Sequence, residues 1–206
     1  MHISEGVLSA PVLAGGAALS LIGLTVSVRQ LQPRDIPKTA LLCAVFFMAS
    51  LVRVPLGPGS AHLVLSGLMG ALLGWGAFIS IFTALFLQGI LFQFGGLTTL
   101  GVNTFNMAAP AVLLAALLGR LLSSPRPLLA TAAAFCTGSA SLLMAALFTA
   151  FSLWLSQGHF LNLAQGLFLA HLPLALLEGI ITAACVHFLR KVRPDALLPP
   201  ALAGKR

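Results

Sequence analysis

The sequence predicts an all-α fold, a polytopic membrane bundle of about seven transmembrane helices with its N-terminus outside and its C-terminus cytoplasmic. Three observations predict it. Of 206 residues, 59% are hydrophobic and only 7% charged, with a mean hydropathy of +1.04, where a soluble domain carries about 25% charged residues. The apolar runs recur at lengths near the ~20 residues that a spanning helix needs. The eleven basic residues outnumber four acids and are unevenly spread, as topology signals are. A water-soluble globule and a disordered chain are excluded. So is a nucleic-acid binder, because the basic residues form no dense patch.

The spans follow in order. A first apolar run covers about Gly6 to Val28 and ends in a polar stretch from Arg29 to Lys38. A second covers about Thr39 to Val52 and meets Arg53, followed by a turn-rich segment that ends at His62. The uncharged stretch from Leu63 to Phe94 is too long for one span, about 48 Å as a single helix. Its natural hinge is Gly74-Trp75-Gly76. After a Gly-rich loop (95–103), further spans cover about Thr104 to Leu122, Leu128 to Leu155 and Leu163 to Leu189. Charge decides the ambiguous stretch. Two passes put ten basic residues on one side and only Arg53 on the other, whereas one pass gives at best eight against three. The positive-inside rule therefore favours seven spans. One transmembrane domain (1–190) and a basic cytoplasmic tail (191–206) result, in a multi-pass protein of the cytoplasmic membrane surrounded by lipid. Gly70 and Gly74 read as a close helix-packing face.

This topology gathers Met1-His2, the loop ending at His62, the 95–103 loop and the His159 loop on the outer face. The N-terminus has no basic n-region or cleavage site of a signal peptide, and a bulky second residue preserves Met1. In a chain starting Met-His, the α-amine, the residue-2 peptide nitrogen and the imidazole can chelate one metal in a planar arrangement. One more imidazole completes a square-planar N4 site, the geometry of Ni(II) or Cu(II). The alternative is that His2 is simply an early residue on a frayed terminus. His62 is the best candidate for the fourth nitrogen, and equally suits a capping or interfacial role. His159 reads as a solvated loop residue and His187 as interfacial.

His171 and Glu178 share one face of the last span, about 10 Å apart along it. A carboxylate near mid-membrane costs about 2.5–3.5 kcal/mol on insertion scales and raises a functional hypothesis; a hydrogen-bonded Glu that ties helices together is the other reading. Cys43, Cys136 and Cys185 are isolated packing residues. No phosphate-binding loop is present, so the chain itself hydrolyses no nucleotide.

Five segments together carry a resemblance: MHISEG at 1–6, GSAHL at 59–63, Gln88, GGLTTLGVNTFNM at 95–107 and HLPLALLEG at 171–179. They resemble the CbiM/NikM family, the substrate-specific (S) components of energy-coupling factor (ECF) transporters for cobalt and nickel, over residues 1 to about 190. The resemblance implies a six-helix bundle with one extra N-terminal helix that carries the terminus into the site. It implies Ni(II) or Co(II) as transported substrate, held by the Met1 amine, the backbone and imidazole nitrogens of His2, and the His62 imidazole. It implies as partners a transmembrane T component, an ATPase pair and a small auxiliary membrane subunit of the CbiN/NikN type. The loop with Asn103 would line or cover the site. The family often has an acid before the paired glycines, where this chain has Phe94. Against this reading stand a stand-alone secondary metal permease and an intramembrane enzyme using His171 and Glu178. The permease lacks a chain of acids for proton coupling, and the enzyme lacks a nucleophile.

Overall fold

A computed structural model of the chain describes residues 2–56, 59–158 and 160–197. Met1, His159 and the tail beyond Leu197 lie outside the described residues. Helix α1 (Ala10–Gln30) starts with Pro11 in its first turn, where the missing N–H costs nothing. It ends before Pro33, which opens a 3-10 turn (Pro33–Asp35) leading into α2 (Ile36–Ala49), again with a proline in its first turn. A two-stranded hairpin follows, β1 (Arg53–Leu56) and β2 (Gly59–His62), with Arg53 paired to His62. Then come α3 (Ser66–Leu73), α4 (Gly76–Phe92), α5 (Leu100–Leu122), α6 (Pro127–Gln157), α7 (Phe160–Val192) and a terminal 3-10 turn (Pro194–Leu197). Among the described residues, the hairpin is the one departure from an all-helical chain.

The elements alternate in direction. At one end Lys38, in the first turn of α2, donates from Nζ to the Leu72 carbonyl of α3 (2.6 Å) and to the Ala196 carbonyl (2.7 Å). Arg190 of α7 reaches the carbonyls of Leu122 and Pro125 at the same end. At the opposite end lie His2, His62 and Phe94, ring against ring. The N–H of Ser9, just ahead of α1, also donates to Ser156 Oγ near the close of α6. Seven traverses result, with the first and last described residues at opposite ends.

Four helices, α1, α5, α6 and α7, are long and apolar enough to cross a membrane. The expected division of the 63–94 stretch occurs at Gly74, whose φ of +54° ends α3 in a conformation that glycine adopts without a Cβ penalty. The first half differs from expectation. Its helix begins only at Ser66 and rises about 12 Å, so that traverse is completed by extended chain after His62. Gly74 is accordingly a break and not half of a packing face; a Cβ there would meet nothing within 4 Å. Gly70 does pack closely, backbone against Ala111 of α5.

Helix α5 lies centrally, against α1, α3, α4 and α6, and α6 and α7 form a long hairpin. Phe46, Met69, Ile81, Met107, Leu142 and Leu174 fill the core, while Leu21, Ile22, Leu41, Met48 and Leu117 are exposed on the outside. This is the distribution of a bundle bathed in lipid, where helices associate through close packing and buried polar contacts. Gly67 of α3 illustrates it: a Cβ there would sit 2.5 Å from the Thr137 carbonyl oxygen of α6.

Candidate functional site

The N-terminal segment is stitched to the head of α5. Asn103 holds the Ile3 backbone at both polar groups. Its Oδ1 accepts the Ile3 N–H at 3.0 Å and its Nδ2 donates to the Ile3 carbonyl at 3.0 Å. The hydroxyl of Thr99 donates to that same carbonyl at 2.8 Å, and Asn103 Nδ2 also donates to Thr99 Oγ1. Two residues on, Glu5 Oε1 accepts the N–H groups of Leu97 (2.8 Å) and Thr98 (3.3 Å). Ile3 and Leu8 are buried with Val102 in a small apolar cluster. A segment of eight residues is thereby given a fixed register.

The paired glycines make the seat possible. Gly95 has φ of +79°, a left-handed turn. Gly96 is needed for space, since an added Cβ would overlap the Cγ of Glu5. A Cβ on Gly95 would approach Asn103 Nδ2 to 3.2 Å and His2 Cβ to 3.5 Å.

The outcome is that His2 meets His62. The two rings stack with centroids 4.7 Å apart at 25°, and His62 Nε2 lies 3.0 Å from His2 Nδ1. On its other side, His62 Nδ1 contacts the Leu63 carbonyl at 3.2 Å. A neutral imidazole donating from Nδ1 leaves its lone pair on Nε2. Burial above all, with the nearby His2 imidazole contributing, pushes the His62 pKa down to about 2, so the ring is uncharged. Phe94 lies beside this pair, its ring 6.4 Å from that of His2.

Buried polar side chains hold both roots of the hairpin that carries His62. On the incoming side, Gln88 of α4 donates to Ser50 Oγ (2.6 Å), which itself donates to the Phe47 carbonyl. On the outgoing side, Glu178 of α7 accepts the N–H groups of Val64 (2.5 Å) and Leu65 (3.0 Å). His2, His62, Ser50, Phe94, Thr149 and His171 line an open cavity of about 630 Å³. His171 is buried, with Nδ1 bonded to the Leu167 carbonyl at 2.7 Å. His187 is exposed toward the far end of α7.

The structure thus brings together two of the three expected site residues, His2 and His62; the third, Met1, lies outside the described residues. It places Asn103 on the backbone of Ile3, the residue after His2, and His171 on the cavity wall. Among the described residues, no group of three or more His, Cys, Asp or Glu side chains is assembled to hold a metal. The sequence reading missed the roles of Glu5, Thr99 and Gln88. Gln88 carried a signal, as an amide inside a long uncharged run.

These features define a multi-pass membrane protein with a half-buried imidazole pair at one end, built on a pinned N-terminus. Residues 2–196 match the family described as the cobalt uptake substrate-specific transmembrane region, CbiM, and the chain belongs to that family. A Haemophilus influenzae relative is 40% identical over 200 residues, covering 96% of this chain and 97% of its own. The cobalt transport protein CbiM of Sorangium cellulosum is 31% identical, covering 96% of this chain and 94% of that protein. The fused nickel transport protein NikMN of Rhodobacter capsulatus is 32% identical over 97% of this chain and 64% of the fused protein. A crystal structure of a truncated transition metal transporter superposes with a TM-score of 0.80 at 31% identity, covering 93% of this chain and 99% of that one. The chain is a membrane component of metal uptake, not an enzyme.

Proposed function

We propose that this chain is the S component of an ATP-driven ECF transporter that captures Ni(II) or Co(II) at the outer face of the cytoplasmic membrane. The substrate ion is held in a plane by the Met1 amine, the peptide nitrogen and Nδ1 of His2, and Nε2 of His62. The observation that carries this reading is the 3.0 Å separation of His2 Nδ1 and His62 Nε2. Nitrogens about 2.0 Å from a central ion, at neighbouring corners of a square, stand about 2.8 Å apart. The two imidazoles therefore need almost no movement to become adjacent ligands.

The end bearing the imidazole pair is the outer one in this reading. Arg29, Arg34, Lys38, Arg120, Arg126, Arg190, Lys191 and Arg193 belong to the opposite end and its loops, the pattern of a cytoplasmic side. Residues 1–190 form the S-component domain and 191–206 a basic tail. A T component and an ATPase pair supply the driving force, since this sequence has no nucleotide loop. The fusion in the Rhodobacter capsulatus protein supports a small NikN-type auxiliary subunit as a further partner.

The test is an N-terminal extension. One residue placed ahead of Met1 moves the amine out of the chelate, and uptake of radiolabelled nickel or cobalt by cells expressing the full transporter falls to background. Normal uptake by the extended protein would overturn the assignment.

A further inference from the structure

We infer that Glu178 is a positioning residue for the substrate site, a buried carboxylate that aims His62 by holding the backbone turn just after it. The inference rests on the proposed His2–His62 site and deepens it. Three observations converge on Glu178. The side chain is fully buried in α7, yet its contacts are with main chain 113 and 114 residues earlier. Both bonds fall on one oxygen, Oε1, which takes the N–H groups of Val64 and Leu65. A residue that merely tied helices together would bond to side chains or to helix backbone. Glu178 instead bonds to the short extended link between β2 and α3.

That link is under strain. Leu65 has φ of +55°, in the left-handed region that an L side chain adopts only at an energetic cost. Such a conformation persists only where its surroundings over-determine it. Val64 and Leu65 are themselves buried, so their N–H groups have no water to turn to, and an unpaired buried amide is unfavourable. Glu178 answers both needs at once. Because α3 starts at Ser66, the carboxylate also faces the helix N-terminus, while Lys38 donates to the Leu72 carbonyl at the C-terminus. Both contacts satisfy backbone groups at the two ends of the helix. This short helix is thereby a fixed base from which the chain reaches back to His62. Without the clamp the Leu65 turn relaxes, and the His62 ring leaves the corner it shares with His2.

The role is that of an acceptor, which separates it from two others. A metal relay or a proton carrier at Glu178 would need the carboxylate itself, whereas a clamp needs only an oxygen at that point. Glu178→Gln keeps the oxygen and removes the charge; Glu178→Leu removes both.

The experiment uses the full chain with its native N-terminus, purified in lipid nanodiscs. Cu(II) serves as a spectroscopic probe of nitrogen ligation and Ni(II) is titrated for affinity. The wild type gives a four-nitrogen paramagnetic resonance signature. Glu178→Gln keeps that signature, with Ni(II) affinity weakened by no more than the about ten-fold of one altered hydrogen bond. Glu178→Leu gives the same three-nitrogen signature as His62→Ala, with affinity reduced about 10- to 100-fold, as for other outer-shell partners. If Glu178→Leu fails to fold, Glu178→Asp carries the test, because it keeps the charge but draws the oxygen back from the turn; it too gives the three-nitrogen signature. A four-nitrogen signature in Glu178→Leu or Glu178→Asp overturns the inference. So does Glu178→Gln behaving like Glu178→Leu. A wild type without the four-nitrogen signature is a different failure, since it removes the proposed site and the inference with it.

Discussion

His2 Nδ1 and His62 Nε2 face each other at 3.0 Å across 60 residues of sequence. Neither ring is placed by its own element. His2 precedes the first helix, and His62 closes a short strand whose partner begins at Arg53. Both are set by buried polar side chains on other helices. Asn103 and Thr99 act from the head of α5, Gln88 from α4 and Glu178 from α7. In lipid a span that buries a polar group must satisfy it internally; Asn103 and Glu178 do so on backbone atoms beside the site, and Gln88 on the Ser50 hydroxyl.

The first prediction concerns the pair itself. Replacing His62 by alanine leaves one corner of the chelate to solvent. Nickel affinity of the purified protein then falls by more than the about 10- to 100-fold typical of losing an outer-shell partner. His187→Ala, exposed at the far end of α7, leaves affinity unchanged. Isothermal titration on the two variants checks this, and equal losses would remove His62 from the ligand set.

The second prediction concerns the seat of the N-terminus. Asn103→Asp keeps an acceptor for the Ile3 N–H but loses the donor to the Ile3 carbonyl and sets a charge beside it. Thr99 still donates to that carbonyl, so the cost is that of the uncompensated buried carboxylate set beside it, about 1–3 kcal/mol. Metal affinity should therefore fall roughly 5- to 150-fold while helical circular dichroism stays at the wild-type level. Asn103→Asp binding as tightly as wild type would mean that Ile3 is held by its apolar burial alone.

Much of this architecture was legible from the chain. The apolar runs gave the spans, the break at Gly74 followed from length and glycine, and the alternation of basic loops put His2 and His62 at one end. Other features were not. The β1–β2 hairpin lies in a segment with prolines at 55 and 58 and glycines at 57 and 59, which reads as turn. The start of α3 at Ser66 instead of Leu63 goes with the bonds that Val64 and Leu65 make to Glu178, a contact made by tertiary packing alone. The same holds for Asn103 on Ile3, 100 residues away, and for Gln88 on Ser50, 38 residues away. Local pattern reveals that a polar residue sits in a span; it does not say which backbone it serves.

The third prediction tests the paired glycines. Gly96→Ala places a methyl where Glu5 Cγ now lies, so Glu5 must release the N–H groups of Leu97 and Thr98. Uptake of labelled metal should drop sharply with membrane insertion unaffected. Glu5→Gln, which still offers an acceptor oxygen, should retain most of the uptake, while Glu5→Ala should resemble Gly96→Ala. If Gly96→Ala transports normally, the Glu5 anchor plays no part in forming the site.

The last prediction is a proton count. An unbound α-amine is protonated below about pH 8, and a peptide nitrogen must lose its proton to ligate. Metal binding through Met1 and His2 therefore releases about two protons near neutral pH, and affinity rises with pH by about two powers of ten per unit. His62 adds nothing to that slope. Burial holds its pKa at about 2, well below the ordinary histidine range, so above pH 5 it carries no proton for the metal to displace. His62→Ala should then lower affinity at every pH between 6 and 7.5 while leaving the slope unchanged. Titration calorimetry in two buffers of different ionisation enthalpy counts the released protons directly. A slope that falls by one unit in His62→Ala would show that His62 is charged before the metal arrives, and that burial does not keep this ring ready to bind.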